Sequence, residues 1–438
     1  MQNKFASSEA SKLTRISQCI SILFHPLNKK ILGWISYDFA NSSFTTVIVT
    51  VVYSVYFKNV VVGREGLGDS LWAIAISVSM LIVALSAPMF GAIADFSQTK
   101  KKFLLAFCYT SVIFTALLFF VREGAIFGGM LLIIIANIGF EGGNVFYNAF
   151  LPEITEKKNI GKISGLGWGI GYLGGLSALA LSLLFVGKNT ILVFPLIAVF
   201  FGIFAIPMFI LVPEKKNPIR KTKQNYLKIG YQRLSQTLKN IKKFRELAKF
   251  LISFFVYNDG IKTVIVFAAI YGATRFNMTG EQLIFYFILA NITSFIGAII
   301  FGYVVDKIGA KKTISITLIM WIAVVIWAFF CPNMWQFYGV GLLAGLAIGS
   351  CQSASRSMVS LLTPEDKHAE FFGFYAMSGK ASAILGPLVY GFLVLLLKSQ
   401  RWAILSIAFF FVLGLALLQT MNENAGIKTA NLKLSKLS

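Results

Sequence analysis

Charged residues, cysteine and histidine are scarce in this chain of 438 residues. Only 13% of the residues are charged, whereas about a quarter are charged in a typical soluble domain. The four cysteines follow no CxxC spacing and the two histidines flank apolar runs, so we expect no disulfide framework, no metal site and no cofactor. A GxxxxGK[ST] phosphate-binding loop is missing too, which argues against ATP-driven pumping. An enzyme is not expected, because no hydrophilic stretch is long enough for a catalytic domain.

Apolar residues, by contrast, make up 57% of the chain, and the mean hydropathy is +0.74. A bilayer core about 30 Å thick requires about 20 apolar residues per spanning helix. Twelve runs of this kind occur, so the sequence predicts an all-α membrane protein with twelve transmembrane helices. The runs cover residues 31–57, 71–94, 103–121, 126–151, 163–186, 191–212, 250–272, 283–305, 314–331, 336–362, 371–397 and 402–421.

The basic residues predict the orientation in the membrane. The chain has 40 Lys and Arg against 18 Asp and Glu, a formal net charge of +22. If the N-terminus is cytosolic, 30 of these basic residues fall in cytosolic segments and 7 in the opposite loops, as the positive-inside rule requires. We therefore expect both termini in the cytosol. The excess charge then faces membrane lipid, and no nucleic-acid partner is expected.

A hydrophilic stretch, residues 213–249, carries twelve Lys and Arg and separates six predicted spans from six. The predicted organisation is a basic arm at 1–30, a six-helix bundle at 31–212, a linker at 213–249, a second bundle at 250–421 and a tail at 422–438. The pattern around residues 226–244 predicts a basic amphipathic helix suited to anionic lipid headgroups. The linker is either a solvated connection or a regulatory, protein-binding segment.

An internal repeat relates the two bundles. A glycine, an aspartate and two lysines occur with matching spacing after the second and the eighth span. The copies are Gly91, Asp95, Lys100 and Lys101, and Gly302, Asp306, Lys311 and Lys312. They lie 211 residues apart, and Pro152-Glu153 recurs as Pro364-Glu365 at an offset of 212. Six spans per half place both copies on the same membrane side, so the sequence predicts parallel repeats about an axis along the membrane normal, as in rocking transporters.

The doubled loop, G-x-x-x-D-x-x-x-x-K/R-K/R, resembles the signature of the major facilitator superfamily. Glycine lets two helix ends approach closely, while the aspartate and the lysines can form a charge network that must break when the cytosolic face opens. We therefore expect the eight repeated residues to act in gating. The alternative, that Asp95 and Asp306 are only interfacial helix ends, stays open.

A narrower resemblance lies in four stretches: WISYDFANS at 34–42, FYNAFLPE at 146–153, SRS at 355–357 and EFFGFY at 370–375. Together they resemble the vacuole effluxer family, whose autophagy-related fungal members export amino acids from the vacuole. The resemblance implies a permease for amino acids or similar small solutes. A bacterial-type member would lie in the cell membrane, where the direction of transport is open.

Six ionisable residues fall inside the predicted spans, three acidic and three basic. Such residues are costly in a membrane, and their balance predicts pairing between helices or a substrate that carries both signs. At about 1.5 Å per residue, most of them lie in the cytosolic half or near the midplane. We expect the substrate cavity to be formed by Asp38, Asn41, Glu141, Asn144, Asp259, Arg356 and Lys380.

Within this set, Arg356 is the expected anchor for a substrate carboxylate, because its planar guanidinium group can bind one with two hydrogen bonds. Asp38 or Asp259 would hold an ammonium group, and Glu141 or Asp38 would carry a proton. Arg356 could instead extend towards the cytosolic interface.

Two further structural alternatives stay open. Asp259 and Lys262 are three residues apart and can pair on one helix. Lys380 can act as a supporting partner of Glu141.

These observations predict a secondary-active transporter that moves a small solute, with amino acids as the expected substrate, by alternating access, with proton coupling, as a monomer. Other organic solutes, such as a peptide, a sugar or a drug, remain alternatives within that class. A receptor or scaffold that signals through the linker is the alternative outside it.

Overall fold

The computed structural model describes residues 28–64, 66–186, 188–214, 226–382 and 385–431. These residues form helices and the turns between them, as expected for a chain whose backbone groups must be satisfied inside lipid. Most of the predicted basic arm, residues 1–27, and the last part of the predicted tail, residues 432–438, lie outside the described residues. So does part of the predicted linker, residues 215–225.

Fifteen helices are labelled here in chain order. They are α1 (Lys29–Val62), α2 (Leu67–Ser97), α3 (Lys100–Leu117), α4 (Ile126–Ala149), α5 (Ile160–Ser182), α6 (Val193–Leu211), α7 (Tyr226–Lys239), α8 (Arg245–Phe276), α9 (Gly280–Ile308), α10 (Ala310–Phe330), α11 (Met334–Leu362), α12 (His368–Ala381), α13 (Leu385–Leu397), α14 (Gln400–Gln419) and α15 (Glu423–Asn431). Short helical turns occupy Leu118–Phe120, Leu151–Ile154, Lys157–Asn159, Thr190–Leu192 and Ile241–Phe244. Part of α1 is π-helical, over Phe44–Val51 and Phe57–Val62.

In the part of the chain that the structure describes, eleven helices are long and apolar enough to cross a membrane. They correspond to eleven of the twelve predicted spans. Large apolar side chains on their outer faces are exposed, for example Phe127 at 78% and Leu85 at 71%, as expected for surfaces that contact lipid tails.

The eleventh predicted span, residues 371–397, is described in two parts. The structure divides it into α12 and α13, with residues 383–384 between them outside the description. At the start of α13 the backbone N–H of Gly386 donates to both carboxylate oxygens of Asp259, at 2.8 Å each. The next residue, Pro387, has no backbone N–H to donate. The local sequence therefore favours a break, and a count of twelve continuous helices is not confirmed.

The two halves of the chain meet through four helix pairs: α2 with α12, α5 with α9, α5 with α11, and α4 with α12. We call the end of the bundle where α2 ends and α3 begins the linker side, because α7 also lies there. Among the described residues, the hydrogen bonds and ion pairs that join the halves lie between the middle of the bundle and the linker side. The halves are therefore closed against each other at that side.

The linker helix α7 is part of this closed side. A Cβ atom on Gly230 would lie 2.6 Å from the Ile93 side chain on α2, and the Arg233 guanidinium lies 4.8 Å from the centroid of the Phe96 ring. Thr237 is buried and accepts a hydrogen bond from the ammonium group of Lys367, which directly precedes α12. The amphipathic helix expected around 226–244 thus packs against both halves.

Candidate functional site

Arg356 lies in α11 and is only 2% exposed. Its Nη1 atom donates to Asp38 Oδ2 on α1 at 3.0 Å and to Asn148 Oδ1 at 3.3 Å. Its Nε atom donates to the Ser164 hydroxyl on α5 at 3.0 Å, and Nη2 donates to the Ser164 carbonyl oxygen at 2.6 Å. One side chain of the second half therefore ties α1, α4 and α5 of the first.

Aromatic rings enclose this ion pair. The Arg356 guanidinium lies 4.8 Å from the Trp34 ring centroid and 5.3 Å from that of Trp168. The Tyr147 ring is 5.9 Å away and stacks on Trp34. Such contacts exclude water and add cation–π attraction. Arg356 does not extend to the interface, and in this closed arrangement its donors are engaged by protein groups rather than free for a substrate.

A second ion pair crosses between the halves nearer the middle of the bundle. The Lys380 ammonium on α12 donates to Glu141 Oε2 on α4. The Lys380 side chain is 20% exposed and that of Glu141 10%, so this pair reaches more solvent than Arg356 does. Three residues along α4, Asn144 accepts a hydrogen bond from the amide of Asn41 at 2.9 Å. The structure thus brings these four predicted cavity residues together.

Asp259 is separated from this group. It is fully buried, and its carboxylate accepts the Gly386 N–H at the α12–α13 break. Within the described residues it forms no ion pair with Lys262, so the suggested pairing of these two neighbours is not present. Asp259 holds two helices of the second half together, and its carboxylate forms no ion pair with the predicted cavity residues among those the structure describes.

A polar cluster in the second half was not predicted as part of the site. Asn258 on α8 accepts a hydrogen bond from the Gln352 amide at 3.3 Å and donates to the Ser382 hydroxyl at 2.6 Å. It joins α8 to α11, much as Asn41 and Asn144 join α1 to α4. Asn258 is uncharged and follows an apolar run, so no sequence feature marked it as a site residue. The adjacent Asp259 was predicted because of its charge.

The two repeated aspartates meet helix N-termini of the opposite half. Asp95, at the end of α2, accepts the N–H groups of Ala369 at 3.1 Å and Glu370 at 2.8 Å, the second and third residues of α12. Asp306, at the end of α9, accepts the N–H groups at the second and third positions of α5, at 2.7 and 2.8 Å. A carboxylate at a helix N-terminus satisfies unpaired N–H groups and interacts favourably with the helix dipole. The repeat therefore builds two matching contacts between the halves.

The repeated glycines make these contacts possible. A Cβ atom on Gly91 would overlap the carbonyl oxygen of Ala369. On Gly302 it would lie 2.7 Å from the carbonyl oxygen of Gly161 and 3.0 Å from the Cα atom of Gly165. Both neighbours are backbone, which cannot move aside as a flexible side chain can.

The lysine of the first copy extends the Asp95 contact into a network. Lys100 forms ion pairs with Asp95 at 3.1 Å and with Glu153. His368 Nδ1, at the start of α12, lies 3.3 Å from Glu153 Oε1. Glu153 and His368 were not predicted as part of this contact, although the repetition of Pro152-Glu153 in the sequence was a signal for the first of them.

The expectation of a charge network is wrong for the remaining lysines. The Lys101 ammonium donates to the Val212 carbonyl oxygen at the end of α6, and the Lys311 ammonium donates to the Met421 carbonyl oxygen beyond α14, both at 2.7 Å. Each bond stays within one half. Lys312 is exposed and forms no hydrogen bond or ion pair with the described residues.

Two helical halves that close against each other through repeated aspartate–helix contacts define a transporter of the major facilitator superfamily (MFS). The human organic anion transporter MFSD10 (TETRAN) has this fold, with a TM-score of 0.71 at 15% identity over 90% of this chain and 100% of that one. The MFS transporter FucP in the outward conformation gives a TM-score of 0.65 at 13% identity over 90% of this chain and 98% of that one.

A family model described as vacuole effluxer Atg22 like matches residues 60–431, and the chain belongs to this family. The uncharacterized MFS-type transporter YxiO of Bacillus subtilis is 30% identical over 89% of this chain and 94% of that protein. Autophagy-related protein 22 of Kluyveromyces lactis is 24% identical over 84% of this chain and 83% of that protein. The predicted multi-pass membrane class, superfamily and family are therefore confirmed.

Proposed function

We propose that this protein is a secondary-active transporter that moves amino acids or related small zwitterions across a bacterial cell membrane by alternating access. The observation that carries the proposal is the Glu141–Lys380 pair, which offers both signs of charge between the halves just beyond the zone where they close. A zwitterion carries the matching pair of charges. The fungal relatives are named for autophagy, and the family model for vacuolar efflux.

The basic linker supports a cytosolic assignment of the linker side, under the positive-inside rule. On that assignment the structure corresponds to a state closed to the cytosol. The Glu141–Lys380 pair is then reached from the outside, and both termini are cytosolic.

Opening the cytosolic side requires the contacts between the halves to separate, including three sets built on buried charges. The carboxylates of Asp95 and Asp306 leave the N-termini of α12 and α5, and Arg356 leaves Asp38 and Ser164. Each of these groups then exchanges a protein partner for water. Solvation of the freed charges therefore limits the free-energy cost of opening. Closure of the outer side supplies compensating contacts, which is the condition for two states of similar free energy.

Glu141 is the proposed proton carrier. Asp38 is held by a guanidinium group with several other partners, whereas Glu141 forms its ion pair with a partly exposed lysine. A proton on Glu141 would cancel its attraction for Lys380 and free that cation for the substrate.

The test is uptake into proteoliposomes that contain the purified chain. A panel of labelled amino acids is supplied with and without an inward proton gradient. Saturable uptake of at least one amino acid, accelerated by the gradient, is expected. Uptake of peptides, sugars or drugs in place of amino acids would move the proposal to another solute. A folded protein without flux of any of these would overturn it.

A further inference from the structure

Lys262 lies in α8 and has an exposed side chain, although its neighbours Ile261 and Thr263 are fully buried. Asn258, one turn earlier on the same face of α8, donates to the Gly379 carbonyl oxygen and to the Ser382 hydroxyl, which flank Lys380 on α12, and that lysine is paired with Glu141 on α4. A lysine directed at lipid would not lie near two ionised groups on two other helices. Lys262 therefore faces the space between the halves.

Its ammonium group has no partner there. Within the part of the chain that the structure describes, Lys262 forms no hydrogen bond and no ion pair within 4.0 Å. The carboxylate nearest in sequence, Asp259, accepts the Gly386 N–H with both oxygens. An unpaired charge at this depth is costly in a membrane protein, and such groups commonly mark substrate or ion pathways.

The local charge is unbalanced as a result. Lys262 and Lys380 contribute two positive charges, and Glu141 contributes one negative charge. Arg356 is not available to a ligand in this state, because Asp38, Asn148 and Ser164 occupy its donors. A ligand whose carboxylate lies between the two lysines would offset the remaining positive charge.

We propose that Lys262 anchors the substrate's carboxylate, that Lys380 shares this anion, and that Glu141 then faces the substrate's ammonium group. This inference rests on the proposed function and deepens it by naming the substrate class. The site selects neutral and acidic amino acids. It disfavours dibasic amino acids, because their second positive charge would be repelled by the two lysines. It also disfavours compounds whose carboxylate is esterified or missing.

The inference is tested by ligand-induced thermal stabilisation of the purified chain in detergent, which does not depend on transport. The ligands are L-alanine, L-glutamate, L-lysine, alanine methyl ester and alaninol. The variants are Lys262→Gln, Lys262→Arg and, as a control, Lys188→Gln, which removes an exposed lysine outside the bundle. A ligand that binds only the folded state stabilises it by RT ln(1 + [L]/Kd), so above Kd the melting temperature rises with the logarithm of the ligand concentration.

For the wild type and Lys188→Gln we expect stabilisation by alanine and glutamate but not by the ester or the amino alcohol. Lys262→Gln should need about tenfold more alanine for the same shift, because a charge-assisted hydrogen bond is lost. Lys262→Arg should recover most of the response and show that the fold tolerates a change at this position.

Equal stabilisation of wild type and Lys262→Gln by alanine, or of the wild type by alanine and its ester, would overturn the inference. No stabilisation of the wild type by any carboxylate would overturn it too. Stabilisation that depends on Lys262 without flux in proteoliposomes would support the anchor and contradict the proposed transport function, so the two failures are distinguishable.

Discussion

Asp38 and Arg356, which lie 318 positions apart in the chain, form a buried ion pair with 3.0 Å between Oδ2 and Nη1. Neutralising one partner leaves the other charge buried without compensation, which typically costs about 3–5 kcal/mol. Asp38→Asn and Arg356→Gln should therefore each lower the unfolding temperature markedly. The double variant should lose clearly less than the sum of the single losses. Thermal unfolding in detergent measures this cycle, and additive losses would contradict the pairing.

The glycine contacts predict which substitutions prevent closure. In Gly91→Leu and Gly302→Leu a side chain would overlap backbone of the opposite half. Gly128→Leu is the matched control, because a Cβ atom there meets nothing within 4 Å. Lys157 and Asn431 contact each other across the linker side and serve as positions for a cysteine pair. Cross-linking of this pair should fall strongly in the first two variants and stay at the wild-type level in the third. An equal fall in all three would mean that the effect is not steric.

The two aspartates should not be equivalent. Asp95→Asn removes a helix-capping charge and also one of two carboxylates that hold the buried Lys100. Asp306→Asn removes the capping charge alone. An interaction of a charge with a helix terminus is worth up to about 2 kcal/mol. Asp95→Asn should therefore reduce cross-linking of the same cysteine pair more than Asp306→Asn does. The reverse order would show that Lys100 and Glu153 do not contribute to closure.

Glu141→Gln should uncouple transport from the proton gradient. The amide cannot change charge, so acceleration by the gradient should be lost, while substrate exchange continues at higher substrate concentrations because the amide holds the ammonium group more weakly. Comparing exchange with gradient-driven uptake in the same proteoliposomes checks this. Glu153→Gln is the control, since it also removes a carboxylate beside a lysine but lies at the linker side. Loss of the gradient response in both variants alike would point away from Glu141.

The repeat motif was the most informative part of the sequence. Two aspartates 211 residues apart, each near a glycine, predicted matching contacts on one side of the membrane. Their partners could not be predicted, because the donors are backbone N–H groups of α5 and α12, and any residue except proline supplies those. The predicted charge network failed for Lys101, Lys311 and Lys312, and the ammonium groups of the first two donate to backbone carbonyl oxygens near helix ends of their own half.

For the charged residues inside the spans, too, the sequence predicted some contacts and not others. Their equal numbers predicted pairing, and Asp38 with Arg356 and Glu141 with Lys380 are such pairs. The sequence could not show which cation stays unpaired, since that depends on the direction of each side chain around its helix. Both carboxylate oxygens of Asp259 accept the N–H of Gly386 near the start of α13, and Asp259 forms no ion pair with Lys262, the neighbour suggested by spacing alone.

The most direct test of alternating access is a pair of distances measured by spin labels in liposomes. One pair of labels at Lys158 and Lys312 reports on the linker side, and a second at Asn59 and Lys398 reports on the opposite side. Without substrate, the linker-side distances should form one short population. With a transported amino acid, a longer linker-side population should appear together with a shorter population on the opposite side. Unchanged distances on both sides during measurable transport, or lengthening on both, would contradict the rocking of two halves about a central site.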